Sequence, residues 1–576
     1  MMFVSRIHIV AVAVALGVIA GTAFACHSRS KAENNGVSLL EDNDVDAVDV
    51  TDIRAGEWAD SVMAGLSLRE RVAQLFVPRL DITNNKAGYQ AVDQAVAVDK
   101  MGGFLLGKGT IASYADLINR GQSKASVPLM ITLDGEWGLS MRVSGTPRFP
   151  YNIALGAGAD EAMMYAYGRE MARECRLMGI QVNFAPDMDV NSNPDNPVIG
   201  YRSFGEDPGR VGMLGSAYCR GMWDEGVMPV GKHFPGHGDT SVDSHKALPT
   251  VDHDSRRMMD VDIKPFVMAI RDGMPAIMVG HLKVPSLDPS GIPASLSKKI
   301  TTDLLQTDLG FDGLVFTDAL AMKGALLPNE NNCVSAFLAG ADILLGSTNP
   351  SADLKAVVAA VNSGKISKAE VDRRCRKVLV YKYKLGLSRR PHVDATGMSS
   401  RLNTPQVDSL ISEMSRSAIT VVRDDSGMLP FAAEKSVAVV SIGAPAKNAF
   451  SEKCKAYGNV MCYSVENGSV VSESMLKNLR SADAVVIGVF KDAEWSRKAL
   501  AAIASVRPSV GVFFMNPFKL PKFSGTKSLT SLVLAYDDIP QIRVAAAEAL
   551  FGRISVVGSL PVDLPGVGKI GDGVKF

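Results

Sequence analysis

An alternation constrains this chain most. From about residue 58 to residue 386, eight short apolar runs are separated by longer stretches with helical periodicity. The runs are "VAQLFVP", "GGFLLGKG", "LMITLDGE", "IQVNFAPDMDV", "MPVGKHFPG", "AIMVGHLKV", "GLVFTDAL" and "DILLGS". Each ends in polar or glycine residues, and most are followed by segments such as "EAMMYAYGREMARECRLMG" or "MMDVDIKPFVMAIRDG". Repeated β-then-α units of this kind predict an α/β protein built on a (β/α)8 TIM-like barrel, with its working residues at the carboxyl ends of the strands. Asp134, Asp187, Lys232, His233, His281 and Asp318 fall at those ends. Core packing gives no reason for polar side chains to gather at one end of so many strands.

Residues 57–387 are assigned to this barrel and 388–405, "SRRPHVDATGMSSRLNTP", to an interdomain linker rich in Pro, Gly, Ser and charge. Over 406–576 a second pattern appears, "SVAVVSIGA", "ADAVVIGVF", "SVGVFFMNP" and "SLVLAYDD", which predicts a smaller sheet flanked by helices, an αβα sandwich. At the other end, Arg6 precedes the apolar run "IVAVAVALGVIAGTAFA", which closes in small residues before Cys26. Residues 1–25 have the layout of a signal peptide. Three readings stay open: lipidation of Cys26 as a membrane tether, ordinary cleavage at Ala23-x-Ala25, or an uncleaved helix. The first two predict an exported protein of a bacterial envelope, periplasmic or lipid-anchored. Residues 26–56, polar and acidic, are expected as a flexible spacer with ordered structure from near Trp58.

Lys plus Arg and Asp plus Glu number 61 each, so no global field favours nucleic acid or an anionic surface. Cys175, Cys219, Cys333, Cys375, Cys454 and Cys462 are scattered, suggesting neither a zinc site nor a disulfide framework. Cys454 and Cys462 are near enough in sequence to pair if they lie on neighbouring strands.

"KHFPGHGDTSVDSH", residues 232–245, holds three of the chain's eight histidines. His233 and His237 have the i,i+4 spacing of a zinc-binding helix, but Pro235 and Gly236 between them oppose a helix, and no HExxH is present. A proton-transfer reading fits better. Asp243 and His245 lie two apart, so in an extended loop both side chains project to one side. The carboxylate would fix the imidazole tautomer and leave the other nitrogen to exchange a proton. Asp318, in "LVFTDALAM", ends an apolar strand, where a carboxylate can attack an anomeric carbon or cap the following helix.

Taken in order, "LDGEWGLSMR", "NFAPDMDV", "NPVIGYRSFGEDP", "GKHFPGHGDTSVDSH", "MVGHLKVP" and "GLVFTDALAM" resemble the motifs of glycoside hydrolase family 3, most closely its β-N-acetylglucosaminidase branch. The resemblance spans roughly residues 60–565, and "GSLPVDLP" is similar to the closing signature of the family's second domain. It implies Asp318 as nucleophile, His245 as general acid/base and Asp243 as its partner. Asp134, Arg142, Arg202, Lys232 and His233 are implied as grips on the sugar hydroxyls. One departure stands out: the usual Glu-Gly-Gly is Glu136-Trp137-Gly138, so Trp137 is expected to reshape that rim or stack on a sugar.

The implied reaction is exo-acting, retaining hydrolysis of terminal β-linked N-acetylglucosamine from cell-wall fragments or related glycans, with no metal or organic cofactor. Competing readings are a phosphorylase, a β-glucosidase and, outside enzymes, a catalytically silent glycan-binding envelope lipoprotein. The second domain is expected to be a packing partner, without a catalytic residue.

Overall fold

The computed structural model describes residues 53–576 apart from 81–84, 328–329, 468 and 507. All of these belong to one compact unit. Cys26, the signal segment and the spacer up to residue 52 lie outside the described residues. The helix Ile53–Ala64 starts inside the stretch expected as spacer and packs on the helix Lys368–Lys384, burying Ala55 and Ala59.

Every one of the eight apolar runs contributes a strand. The first gives Phe76–Val77 and Arg79–Leu80, and the next three give Gly103–Leu106, Met130–Leu133 and Val182–Asn183. The fifth gives Met228–Pro229 and Gly231–Phe234, followed by Ala276–Val279, Leu314–Thr317 and Leu344–Leu345. Successive strands pair in parallel, and single bridges from Asp187 to Lys232 and from Phe316 to Ile343 join the groups. Phe76–Val77 then pairs with Leu344–Leu345, so the pairing returns to its start. Met130–Leu133, Ala276–Val279 and Leu314–Thr317 are buried at every position, which is why they read as unbroken apolar runs.

The connecting helices carry legible ends. Asp160 caps Glu161–Leu177 by accepting from the Met163 amide, and Asp207 caps Pro208–Asp224, with Pro208 in the first turn. These two helices touch backbone to backbone. A Cβ on Gly168 would lie 2.2 Å from Tyr218 O, and one on Gly221 would lie 2.1 Å from Tyr165 O. Only glycine permits that approach.

The second part holds a six-stranded sheet in the order Thr420–Asp424, Ser531–Leu534, Ser509–Phe513, Ala484–Val489, Ser436–Ile442, Asn459–Val465. All neighbours are parallel except the first pair. The four interior strands are the four apolar runs seen in the sequence. The two edge strands escaped notice because they are only partly buried, Asn459–Val465 being exposed at Asn459 and Met461. Cys454 sits on the helix Ala449–Tyr457 and Cys462 on an edge strand, and both are free thiols, so the pairing considered above does not form.

The segment expected as a linker is strapped down. Val393 exchanges two hydrogen bonds with the Asn119 side chain, at 2.8 Å each, and Met398 and Leu402 are buried. Its end continues into the helix Pro405–Ala418, which packs against both Asn152–Gly158 and Pro540–Leu550.

Candidate active site

A chain of alternating charges runs across the carboxyl ends of the strands. Arg142 Nη2 donates to Asp134 Oδ2 at 2.9 Å, and Lys232 Nζ lies 3.2 Å from Asp134 Oδ1. The same ammonium is 2.7 Å from Glu136 Oε1. Glu136 in turn receives the Arg202 fork, Nη2 to Oε1 at 2.8 Å and Nε to Oε2 at 2.9 Å. Burial would raise the Glu136 carboxyl, but Arg202 and Lys232 hold it well below the usual carboxylate range. Burial would lower the Lys232 ammonium, and Glu136 and Asp134 outweigh that and raise it. Five of the groups expected at a sugar site thus lie close together: Asp134, Arg142, Arg202, Lys232 and His233. The sequence reading assigned no role to Glu136, whose burial no spacing reveals.

His233 stands beside this chain. Its Nδ1 is 2.7 Å from Asp189 Oδ2, and its Nε2 is 3.5 Å from Arg202 Nη2. Burial, reinforced by Arg202, pushes the imidazole down to about 4, so it is neutral at pH 7 with its proton on Nδ1. Asp189 also accepts the amides of His233 and His237, a positioning role the sequence reading missed. Burial, with Asp189 next to it, pushes the Asp187 carboxyl well up. Asp187, Asp189 and His233 form the one group among the described residues whose atoms are close enough to share a metal ion. The His233 proton faces Asp189, however, and Arg202 lies 3.5 Å from Asp187 Oδ2, so a cation is already present.

The polar loop after this strand divides its histidines. His237 is buried, with Nδ1 2.8 Å from Thr240 Oγ1 and Nε2 3.1 Å from Ser244 Oγ. It fastens the loop at both ends. His245 is the opposite, its side chain 67% exposed, with Nδ1 2.9 Å from Asp243 Oδ1, which also accepts the His245 amide. Nε2 is thereby left to face outward.

Asp318 follows the strand Leu314–Thr317, and its Oδ1 accepts the Ala319 amide at 2.6 Å. Burial raises its carboxyl, but His281, His233, that amide and Lys232 together hold it below its ordinary value. It is therefore an anion at neutral pH. Beside it, His281 bonds Ser295 Oγ at 2.7 Å and the Ala319 carbonyl at 3.0 Å. The two active segments meet where the Gly324 amide donates to Ser244 O at 3.2 Å.

The second part of the chain reaches the rim. Trp137 packs edge-on to Tyr151 with centroids 5.0 Å apart, and Tyr151 lies 4.3 Å from Tyr201. Arg148 stacks over Tyr151 at 4.6 Å and bonds Asp537, which is buried and lies past the strand Ser531–Leu534. Trp137 is thus set in an aromatic cluster between the residues flanking Glu136 and Arg202. The Asn191–Glu206 segment carrying Arg202 is held likewise, the Glu206 amide donating to Pro561 O at 3.0 Å in "GSLPVDLP".

Fixed carboxylates and cations close together, with the Asp318 carboxylate nearby, supply the acceptors and donors that a polyhydroxylated ligand can bond. Residues 67–380, more than half of the chain, match the model for the glycosyl hydrolase family 3 N-terminal domain, and the protein belongs to that family. Beta-hexosaminidase A of Pseudoalteromonas piscicida is 36% identical over 336 residues, covering 54% of this chain and 56% of that enzyme. The chain thus spans little more than half of that relative's length. Beta-hexosaminidase LpqI of Mycobacterium tuberculosis is 35% identical over 340 residues, 56% of this chain and 84% of that protein. The structure of a family 3 β-N-acetylglucosaminidase from Paenibacillus sp. str. FPU-7 superposes with a TM-score of 0.74 at 30% identity, over 87% of this chain and 99% of the other.

Proposed function

We propose that this glycoside hydrolase is an exo-acting, retaining β-N-acetylhexosaminidase that removes terminal β-linked N-acetylglucosamine. The observation that carries the reading is Asp318, an anion at a strand end facing the Lys232–His233 grip. The relatives named beta-hexosaminidase support the sugar. In this reading Asp134, Arg142, Arg202, Lys232 and His233 bind the hydroxyls. Asp318 attacks the anomeric carbon as the leaving oxygen takes a proton from His245 Nε2, breaking the glycosidic bond. Water then gives its proton to His245 while its oxygen displaces Asp318, releasing the sugar with its configuration retained. Asp243 holds the Nδ1 proton throughout. The closed circuit of parallel pairings supports a (β/α)8 barrel over 57–387, and the six-stranded sheet supports an αβα sandwich over 406–576. The N-terminal pattern supports export, with a lipid on Cys26 or ordinary cleavage at Ala23-x-Ala25, and with it a substrate outside the cytoplasm, such as cell-wall fragments or related glycans. Among the described residues no helix is long and apolar enough to cross a membrane.

Phosphorolysis is the second reading, favoured by one feature: an exposed imidazole base brings no negative charge against an incoming phosphate. The test incubates the protein with a chromogenic β-N-acetylglucosaminide or the matching β-glucoside, with and without phosphate, beside Asp318→Asn. Turnover of the first sugar, phosphate-independent and lost in the variant, is expected. No turnover of either sugar would remove the enzyme reading, and glucoside turnover alone would change the substrate. Sugar 1-phosphate formed only with phosphate would make the protein a phosphorylase.

A further inference from the structure

We infer that Glu136 is a positioning residue for this reaction: its carboxylate, held between the Arg202 fork and the Lys232 ammonium, sets where both cations stand toward the sugar. The inference rests on the proposed sugar contacts of Lys232 and Arg202. Both oxygens of Glu136 are taken, Oε1 by Arg202 Nη2 and Lys232 Nζ and Oε2 by Arg202 Nε, and the residue is 2% exposed. Three of its roughly four acceptor sites are thus filled by the two cations, and its burial keeps it from direct contact with a ligand. Buried ion clusters are a poor source of net stability, since desolvation offsets most of the attraction. A cluster at the strand ends, where ligand binds, serves geometry instead.

The fork fixes the guanidinium plane, because two parallel bonds leave Arg202 no rotation about its terminal bonds. The third bond fixes Lys232, a group that otherwise swings on a flexible stem. Glu136 also governs the charge of Lys232. Around that ammonium stand Glu136, Asp134 (itself paired with Arg142), Arg202, the neighbouring His233 and, across the site, Asp318. Burial and Arg202 favour its neutral form, and the carboxylates oppose them. Removing Glu136 takes away the nearer of the two paired carboxylates, at 2.7 Å against 3.2 Å for Asp134.

The test uses the full chain and N-acetylglucosamine as the probe, with dissociation constants and stoichiometry measured by calorimetry between about pH 7 and 10, a range below ordinary lysine titration in which only a lowered ammonium loses its proton. Glu136→Gln is expected to weaken binding about tenfold to hundredfold at pH 7, the range of a lost charge-assisted bond, and to weaken it further as pH rises. Glu136→Asp keeps the charge but cannot span both partners. It is expected to bind about tenfold more weakly, with the flat pH dependence of the wild type. Stoichiometry reports the folded fraction separately from affinity. Unchanged affinity and pH dependence in both variants, or a loss confined to stoichiometry, would overturn the inference. If the wild type neither binds nor turns over the sugar, the proposed function is what fails.

Discussion

Lys382 offers the sharpest test of how burial and charge balance in this fold. It lies on the helix Lys368–Lys384 with no exposed surface, and its Nζ donates to Gln74 Oε1 at 2.7 Å. Among the described residues no carboxylate pairs with it, and burial pushes the ammonium down from 10.5 to about 7. The unfolded chain keeps that proton up to its ordinary value, so between the two values the unfolded state binds more protons. Stability therefore rises as pH climbs from about 7 to 10.5. A difference of this size corresponds to about 5 kcal/mol carried against the folded state at neutral pH and below. Lys382→Met removes the penalty and keeps the length of the side chain, but leaves Gln74 Oε1 without its donor, a cost of about 1–2 kcal/mol. The variant is expected to be more stable than the wild type by about 3 kcal/mol near pH 6. That advantage shrinks steadily and reverses near pH 10, as the wild type loses its penalty. Urea unfolding midpoints of both proteins across that range measure it. A gap that stays constant with pH, or a variant that is less stable at pH 6, would refute the assignment of a buried, easily deprotonated lysine.

Three further perturbations probe the site and its frame. Asp243→Asn keeps the shape but removes the anion beside Nδ1, and is expected to lower kcat by roughly 10²–10⁴-fold with folding intact, judged by circular dichroism. Gly158→Ala drives a Cβ to 1.7 Å from Ser417 O, where the helix carrying it meets the helix Pro405–Ala418. It is expected to cost more than about 4 kcal/mol or abolish soluble expression, read from thermal unfolding. Asp537→Ala frees Arg148 and the Tyr151 amide, both of which it holds. It is expected to raise KM several-fold for substrates that press on the aromatic rim while leaving the covalent step at Asp318 nearly unchanged, measured as a split between KM and kcat.

What the sequence revealed, and what it hid, follows from how each feature is encoded. Apart from Arg79 and Ser436, the strands from the eight barrel-region runs and the four interior strands of the second sheet are buried at every position, so most left a nearly unbroken apolar run. Thr420–Asp424 and Asn459–Val465 are edges with mixed burial, and mixed burial leaves no period to read. Asp318 and the Asp243–His245 pair stood out by a strand-end position and a short spacing, and the roles expected of them came from the family resemblance rather than from spacing. Glu136, Asp189 and His237 were not. Their work depends on being enclosed by Arg202, by two backbone amides and by Ser244 with Thr240, and enclosure is a property of the folded neighbourhood. The second part was expected to pack and stabilise, and nothing in the sequence showed where it would do so: Asp537 and Pro561 hold the segments carrying Tyr151 and Arg202.

His237 carries a wider implication. It roots the loop below the sugar grip, while His245 projects from the far end of the same loop into solvent. In the proposed reaction the groups that grip the sugar and the group that meets the departing partner are therefore separate modules on one strand exit. Substitutions at the exposed positions Ser241, Val242, Lys246 and Ala247 can retune which leaving groups or acceptors are admitted without moving Lys232 or His233. A lineage with this arrangement can change what it cuts away from while keeping what it recognises.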